Sequence, residues 1–298
     1  MGQPENEPIM GFAPGSPERE ALQNEMDRQL GEVIEIPCVV NGELIFTGNT
    51  VTQVVPHDHG HILANVHLAG KEEIEAACRA AVDAQESWID LGLEGRCAIF
   101  ERCADLLAGD WRMRVNASTM LNQSKTAFQA EIDSACELID FWRFNCHYAR
   151  GFHDDLQPLV SPAGVENSTE IRPLEGFVLS ITPFNFTSIA ANLPSAPAIV
   201  GCTSVWKPSR NSYHSNYVLM QLMMDAGLPP GVINFLPGSG AEITGAALSN
   251  PDFAGLHFTG STSTFQGLWQ EIAKALPDLR SYPRIVGETG GKDCVVAH

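Results

Sequence analysis

The sequence predicts an α/β protein built on a doubly wound, mostly parallel β-sheet. Short apolar runs, such as 177–181 and 203–206, have no polar face and are typical of strands buried on both sides. In the second half of the chain these runs alternate with helical stretches, the pattern in which helical crossovers join parallel strands. Polar residues follow several runs directly, so we expect a ligand site at the carboxyl edge of the sheet.

The first half is predicted to be mainly helical. Ser16 is followed by a proline, and together they mark the N-cap and first turn of a helix that continues to about residue 30. Asn41 and Gly42 separate two apolar runs and predict a β-hairpin over 37–46, with a further strand over 51–55. Apolar residues at helical spacing then predict helices over 72–88, 94–107, 111–122 and 127–148.

The segment 151–171 interrupts this order. Its helical period is lost, and prolines at 158 and 162 break a polar stretch in which two short strands are expected, near 157–160 and 168–171. A β-hairpin arm inserted in this way often pairs with another subunit, although an ordinary surface hairpin fits the sequence equally well.

The remaining elements alternate regularly between strand and helix. Strands are expected over 177–181, 203–206, 232–236, 255–259 and 284–286, and helices over 188–200, 215–226, 241–248 and 264–276. A further apolar run, expected to be a strand, starts at Cys294. This alternation gives the doubly wound arrangement.

Charge and composition exclude several classes of function. A formal net charge of −18 argues against nucleic acid or an anionic membrane as partner. No apolar run approaches the roughly 18 residues of a membrane span, and the first residues lack the pattern of an export signal. The eight cysteines include no Cys-x-x-Cys and no zinc spacing, so neither a metal site nor a disulfide is expected. A cytoplasmic protein is expected.

Three polar residues at predicted strand ends could do chemistry. Asn185, after a proline turn, could donate to an oxygen that becomes negative, or could satisfy its own turn. Glu288 could accept a proton from water, or cap a helix. Lys207 could bind sugar hydroxyls or phosphate, or be solvated like most lysines.

The segment 260–264 could bind an anion. It follows an apolar strand and opens a helix, so its backbone amides and hydroxyls could contact a phosphate, although a plain N-cap has the same composition. The glycines at 238–240 fit a dinucleotide fingerprint poorly, because the third glycine is misplaced.

Taken together, these motifs resemble the aldehyde dehydrogenase superfamily. TPFNF (182–186), WKPS (206–209), FTGS (258–261) and GETGGK (287–292) have the order and spacing of that family. Five further motifs resemble its 1-pyrroline-5-carboxylate dehydrogenases, which oxidise L-glutamate γ-semialdehyde to glutamate in proline degradation: SPERE (16–20), QAEID (129–133), ELIDF (137–141), NST (167–169) and LEGF (174–177).

The resemblance implies a role for each matching residue. Asn185 would be the amide that stabilises the oxyanion, and Glu288 the base that activates water. Glu137 and Phe186 would lie near the chain of a small-molecule aldehyde. The residues implied to contact NAD are Thr182, Lys207, Ser209, Gly260, Ser261, Thr262, Ser263 and Thr264.

The sequence departs from the family in two places. The family's nucleophilic cysteine lies further along the chain than the ten residues that follow Glu288, and Cys294 is too close to take its place. We therefore expect a dinucleotide-binding domain (1–150 and 172–289), an oligomerisation arm (151–171) and the start of a catalytic domain (290–298), inactive alone. Arg210 stands where relatives often carry an acid, which leaves NADP open beside NAD.

Three interpretations of function follow. The leading one is part of an NAD-dependent semialdehyde dehydrogenase that forms a homodimer at full length, in the cytoplasm or, in a eukaryote, the mitochondrial matrix. The second is a non-catalytic module that binds NAD or another subunit. The third keeps the chemistry but changes the substrate to another semialdehyde.

Overall fold

A computed structural model describes residues 3–158, 160–291 and 294–297. Its helices are α1 Pro17–Leu30, α2 Lys71–Asp90, α3 Gly92–Ala108, α4 Arg112–Gln123, α5 Ala127–Ala130, α6 Glu137–Asp155, α7 Thr187–Ile199, α8 Tyr213–Asp225, α9 Gly240–Leu248 and α10 Thr262–Ala275. A π-helical turn, Glu131–Cys136, joins α5 to α6, and 3₁₀ turns occupy Arg210–Ser212 and Leu276–Asp278.

The strands form two sheets within the described residues. They are β1 Ile34–Ile36, β2 Cys38–Val40, β3 Glu43–Ile45, β4 Thr50–Val55, β5 Asp58–His67, β6 Phe177–Ile181, β7 Thr203–Lys207, β8 Ile233–Phe235, β9 Phe253–Gly260 and β10 Arg284–Thr289. The larger sheet has the order β10-β9-β6-β7-β8-β2-β3, and its first five strands are parallel. The smaller sheet has the order β1-β5-β4. The predicted α/β class with a mostly parallel sheet is confirmed.

Helices cover both faces of the larger sheet and divide the core into two layers. One cluster packs α3, α6, α7 and α8 around Trp142 and Trp206, and the other packs α2, α9 and α10 around Phe177 and Leu256. These four side chains are at most 2% exposed. Helical layers on both faces explain why the central strands are buried and mainly apolar.

Helix α7 contains two internal prolines, Pro194 and Pro197, and the sheet compensates for the second. Pro197 has no N–H for the carbonyl of Leu193, one turn earlier. That carbonyl instead accepts hydrogen bonds from Ser180 Oγ at 3.2 Å and His257 Nδ1 at 2.9 Å. Polar residues in two buried strands thereby keep a broken helical ladder satisfied.

Most predicted elements are confirmed, and the hairpin shows why. Asn41 and Gly42 both have positive φ, 52° and 78°, as a tight turn between β2 and β3 requires. Helix α1 begins as predicted, with Ser16 Oγ accepting from Arg19 N at 3.2 Å. Strand β5 had no counterpart in the predicted elements, because its first half, Asp58 to His61, is polar.

Three expectations were wrong. The helix expected over 127–148 is interrupted by the π-helical turn and continues, as α6, to Asp155. Residues 294–297 form no strand. Among the described residues of 156–171 no strand forms either, because two prolines remove ladder donors. Leu159 in this arm, and Lys292 and Asp293 after the last strand, lie outside the described residues.

Side chains close the arm in place of a strand ladder. Gln157 Nε2 donates to the Thr169 carbonyl at 3.1 Å, and Thr169 N donates back to Gln157 Oε1 at 3.0 Å. Nearer the tip, Asn167 N donates to Ser161 Oγ at 2.9 Å. The segments 157–161 and 167–169 of the arm are therefore held together by hydrogen bonds.

In the part of the chain that the structure describes, no helix combines the length and apolarity that a membrane crossing needs. The same residues contain no group of three or more His, Cys, Asp or Glu placed to hold a metal ion. All eight cysteines are free thiols, and Cys294 alone among them is exposed.

Candidate active site

The carboxyl ends of four parallel strands lie side by side. Ile181 of β6 pairs with Lys207 on one side and with Phe258 on the other, and Phe258 pairs with Gly287 of β10. The motifs that follow these residues therefore meet at one edge of the sheet, as the sequence predicted. Open α/β sheets bind ligands at this edge.

Thr182 and the end of β7 are tied together. Thr182 N donates to the Lys207 carbonyl at 3.2 Å, and Thr182 Oγ1 accepts from Trp206 Nε1 at 3.0 Å. Both Thr182 and Trp206 are buried. These bonds fix the spacing of two strand ends and leave the Lys207 side chain to project beyond them.

Lys207 lies in a cavity of about 510 Å³ between α9 and α10. A Cβ placed on Gly240 would lie 3.9 Å from Lys207 Cε, so the side chain runs along the first turn of α9. Burial lowers the pKa of Lys207. The other residues that line the cavity include Ile181, Ala241, Thr244, Leu248, Thr264, Leu268 and Glu271. A mainly apolar cavity of this size with one amine suits a nucleoside.

The segment 260–264 caps α10 and faces solvent. Ser261 Oγ accepts from Thr264 N at 3.2 Å and lies 2.7 Å from Thr264 Oγ1 and 3.3 Å from Ser263 Oγ. A Cβ on Gly260 would lie 2.7 Å from Phe258 Cζ, so only glycine lets the strand end pass this ring. The N-cap interpretation therefore holds, and the exposed first turn still presents amides and hydroxyls.

Ser209 begins the turn after β7. Its Oγ accepts from Asn211 N at 3.5 Å, and the residue is half-buried beside Arg210. The structure thus places Ser209 two residues beyond Lys207 on the same rim.

Asn185 and Phe186 lie at the start of α7. Asn185 is exposed, and Phe186 is half-buried at the N-cap position. The Lys125 ammonium lies 4.0 Å from the centroid of the Phe186 ring and also pairs with Asp133. A cation over a ring face is attracted by the π electrons, so Lys125 holds this ring in place.

Glu137 connects α6 to the start of α7. Ser188 Oγ donates to its carboxylate. Burial, only partly offset by this hydrogen bond, raises the pKa of Glu137, and the charges of Asp133 and Glu288 act in the same direction. Glu288 is thus close enough to Glu137 to repel its charge. The hydrogen bond from Ser188 therefore joins Glu137 to the first turn of α7.

The sequence suggested that Glu288 follows the end of the last strand. In the structure it lies within β10. It is exposed, and Thr259 Oγ1 on the neighbouring strand donates to its Oε2 at 3.5 Å. A Cβ on Gly287 would lie 2.3 Å from the Phe265 ring, so glycine is what lets β10 approach α10. The carboxylate consequently projects from an edge strand that pairs with β9 and packs against α10.

Sequence reasoning missed three residues of this region: Lys125, Asp133 and Ser188. Asp133 and Glu137 stand four positions apart, a helical spacing that places two side chains on one face and could have marked both. Lys125 carries no comparable signal, because its partners are brought to it only by the tertiary fold.

The fold is an open α/β domain with polar residues at the carboxyl edge of its parallel strands, and the aldehyde dehydrogenase family model matches residues 46–298. The chain belongs to the aldehyde dehydrogenase family. It is 48% identical over 296 residues to Delta-1-pyrroline-5-carboxylate dehydrogenase of Agaricus bisporus, covering 98% of this chain and 54% of that protein. The human mitochondrial Delta-1-pyrroline-5-carboxylate dehydrogenase is 42% identical over 293 residues, covering 98% and 52%.

A solved structure gives the same relationship. The Delta-pyrroline-5-carboxylate dehydrogenase of Mycobacterium tuberculosis bound with NAD superposes with a TM-score of 0.96 at 48% identity, over 98% of this chain and 55% of that one. The chain therefore spans about half the length of the relatives it matches.

Proposed function

We propose that this chain is the cofactor-binding part of a Delta-1-pyrroline-5-carboxylate dehydrogenase, which oxidises L-glutamate γ-semialdehyde to L-glutamate with NAD in proline degradation. The observation that carries the proposal is the meeting of four strand ends, since an amide (Asn185), an amine (Lys207), a carboxylate (Glu288) and the turn 260–264 lie at or just beyond these ends. The high identity to relatives of that name over nearly the whole chain supports the choice of substrate.

The cavity beside Lys207 fits the adenosine part of NAD. Lys207 and Ser209 would bind the ribose hydroxyls, and the amides and hydroxyls of 260–264 would hold the pyrophosphate. Thr182 would lie along the cofactor, where its bond to Trp206 fixes its position. When bound, NAD accepts hydride from the substrate.

The remaining residues would act on the aldehyde. Asn185 would donate its amide to the oxygen that becomes negative, a contact stronger in the transition state than in the ground state. Glu288 would take a proton from water in the hydrolytic step, with Thr259 orienting its carboxylate. Glu137 and Phe186 would line the path of the aldehyde chain.

The arm, 151–171, would serve as the oligomerisation element between the two parts of the dinucleotide-binding domain, 1–150 and 172–289, with 290–298 opening the catalytic domain. Val160 and Val165 are 75% and 54% exposed on it, which suits a contact with a second subunit. At the length of its relatives the protein would be a homodimer in the cytoplasm, or in the mitochondrial matrix of a eukaryote.

A non-catalytic NAD-binding module is the second candidate, and one observation favours it. Seven of the eight cysteines are buried, whereas a nucleophilic cysteine needs an accessible thiolate. Burial raises the pKa of Cys38, Cys103 and Cys136, and the exposed Cys294 is expected to follow Glu288 too closely for the nucleophile's role.

Two measurements test the proposal. Calorimetric titration of the chain with NAD should give saturable binding at one site, and no binding would refute the cofactor assignment. The protein extended to the length of its relatives should reduce NAD with glutamate γ-semialdehyde faster than with succinate semialdehyde. Binding without turnover in the extended protein would favour the module, and the reverse order of substrates would favour another semialdehyde.

A further inference from the structure

A second cavity, of about 260 Å³, lies between α1, α4 and α8 and shares no lining residue with the Lys207 cavity. Its lining includes Arg28 and Gln29 of α1, Arg114 of α4, and His214 and Gln221 of α8. Pockets for drug-sized ligands measure roughly 300–1,000 Å³, so this cavity suits a molecule smaller than a nucleotide.

Three of the lining side chains each leave one buried polar atom without a partner in the part of the chain that the structure describes. Gln29 Oε1 accepts no hydrogen bond, Arg114 Nε donates none, and His214 Nδ1 does neither. Gln29 and His214 are only 5% and 3% exposed. Because buried polar groups are nearly always paired, three unpaired atoms around one cavity indicate an occupant that supplies their partners.

Arg114 is the cation of this cavity that lacks a carboxylate. Arg28 pairs with two nearby glutamates, whereas among the described residues Arg114 forms no ion pair. Its Nη2 donates to Gln221 Oε1 at 2.7 Å, and its guanidinium carbon lies 4.2 Å from the centroid of the Trp111 ring. These contacts hold the guanidinium in place and leave Nε as a charged donor, which favours a carboxylate from the occupant.

Gln29 requires a donor from the same occupant. Its Nε2 already donates to Glu25 Oε1 at 2.8 Å and to the Arg114 carbonyl at 2.9 Å, so Oε1 is the end of the amide that remains unpaired. The bond to the Arg114 carbonyl also shows that Gln29 and Arg114 are adjacent. Glu32 and Glu35 add carboxylates to the lining, which favours an ammonium group over a neutral hydroxyl as that donor.

We propose that this cavity binds a free α-amino acid, with its carboxylate on Arg114 and its ammonium group on Gln29. One zwitterion then satisfies a buried donor and a buried acceptor together, which a simple anion or a simple cation does not. The imidazole of His214 can donate or accept at Nδ1 according to its tautomer, so it fits a hydroxyl on the amino acid. The inference is independent of the proposed function, because the cavity contains none of the residues assigned to NAD or to the aldehyde.

The test compares L-serine with two molecules that each lack one of its charged groups. Ligand-detected NMR titration of the chain gives dissociation constants for L-serine, for 3-hydroxypropionate, which lacks the ammonium group, and for ethanolamine, which lacks the carboxylate. L-Serine should bind with a dissociation constant of about 5 mM or tighter, and the other two should bind at least about tenfold more weakly.

Two variants locate the binding. Arg114→Gln removes the charged donor and should weaken L-serine by about tenfold or more. Gln221→Glu places a carboxylate on the atom that already accepts from Arg114, so it should compete with the carboxylate of L-serine and weaken binding to a similar degree. An unfolding curve shows that each variant is folded.

Each variant has a matched control outside this cavity. Arg79→Gln changes an exposed arginine that lines the separate cavity between α2 and α9, and Gln270→Glu changes an exposed glutamine on α10. Both controls should bind L-serine within about twofold of the native chain.

Three results would overturn the inference. If L-serine does not bind at about 50 mM, the cavity holds water only. If 3-hydroxypropionate or ethanolamine binds as tightly as L-serine, the site does not recognise an amino acid. If folded Arg114→Gln and Gln221→Glu both bind L-serine like the native chain, the amino acid binds elsewhere.

Discussion

Glu131 and Glu137 stand six positions apart at the two ends of the π-helical turn, yet their surroundings are opposite. Glu131 is fully buried and accepts from Arg112, from Asn116 Nδ2 at 2.7 Å and from Met10 N at 2.8 Å. Burial pushes the pKa of Glu131 up, but these donors outweigh it and hold the pKa below its ordinary value. The carboxylate of Glu137 accepts a hydrogen bond from Ser188 Oγ, and burial raises its pKa.

The comparison separates a structural carboxylate from the one that we propose lies beside the substrate. The chain itself supplies the hydrogen-bond donors around Glu131. The N-terminal segment contributes Glu7, whose carboxylate pairs with Arg112 at 2.5 Å and with Arg143 at 2.7 Å. Glu137 has fewer donors and faces a region where Asn185 and Glu288 are exposed. A site that binds a ligand keeps polar groups incompletely paired until the ligand arrives.

The largest expected effect is on the free energy of unfolding, when the buried carboxylate Glu131 is replaced. Glu131→Gln should lower the free energy of unfolding by about 3 kcal/mol, because the buried Arg112 guanidinium loses its fully buried carboxylate and keeps only that of Glu7. Glu137→Gln is the matched variant and should stay within about 1 kcal/mol of the parent chain, since a neutral amide has no ionised form to desolvate. Urea unfolding followed by circular dichroism measures both. Equal losses would show that the two carboxylates do not differ in role.

As the pH falls, protonation of buried histidines should lower the free energy of unfolding before the carboxylates are protonated. Burial lowers the pKa of His214 to about 4, so the folded chain keeps it neutral while the unfolded chain binds a proton near pH 6.5. Stability should therefore fall by about 2 kcal/mol as the pH drops from 6.5 to 5. His257, whose pKa burial also lowers, acts in the same direction.

His214→Gln should flatten this pH dependence without abolishing it, because His257 remains. Urea midpoints measured at pH 7, 6 and 5 give the slope for both chains. Parallel slopes in the two chains would mean that His214 takes up its proton in the folded state as readily as in the unfolded one.

A substitution at the sheet edge should affect the ligand instead. Lys207→Ala should weaken NAD binding by about tenfold or more, because it removes a charged donor to the ribose. Lys71→Ala, an exposed lysine at the start of α2, is the control and should leave the affinity unchanged. Calorimetry gives both affinities, and an unfolding curve shows whether each variant is folded. If folded Lys207→Ala binds NAD with unaltered affinity, the ribose does not bind beside Lys207.

The smallest expected effect concerns the exposed cysteine. Cys294→Ser should change the free energy of unfolding by less than about 0.5 kcal/mol, because Cys294 is exposed. In the native chain a thiol reagent should label Cys294 first, while buried Cys103 reacts only on unfolding. Rapid labelling of a second cysteine would reveal an accessible thiol that the fold does not show.

The sequence was sufficient for the parallel sheet and for the edge at which its strands end. Apolar runs, prolines and glycines act locally, so positions such as Asn41, Ser16 and Thr182 could be interpreted without the fold. The register that aligns Lys207, Phe258 and Gly287 depends on which strands are neighbours. Alternation of strand and helix does not predict this order, in which β9 lies beside β6 and not beside β8.

Interactions between distant segments could not be predicted. The buried pair of Arg112 and Glu131, and the closure of the arm by Gln157, depend on tertiary approach and leave no periodic signal. The π-helical turn was missed because its residues have ordinary helical composition. Lys125 and Ser188 were missed because each acquires its role from a partner on another element.

Hydrogen exchange of the chain with and without saturating NAD tests the central claim most directly. The account predicts slower exchange in the first turns of α9 and α10 and at the end of β7, with no change around Arg112 and Glu131. Protection confined to other parts of the chain, or none at a concentration that saturates binding, would contradict it.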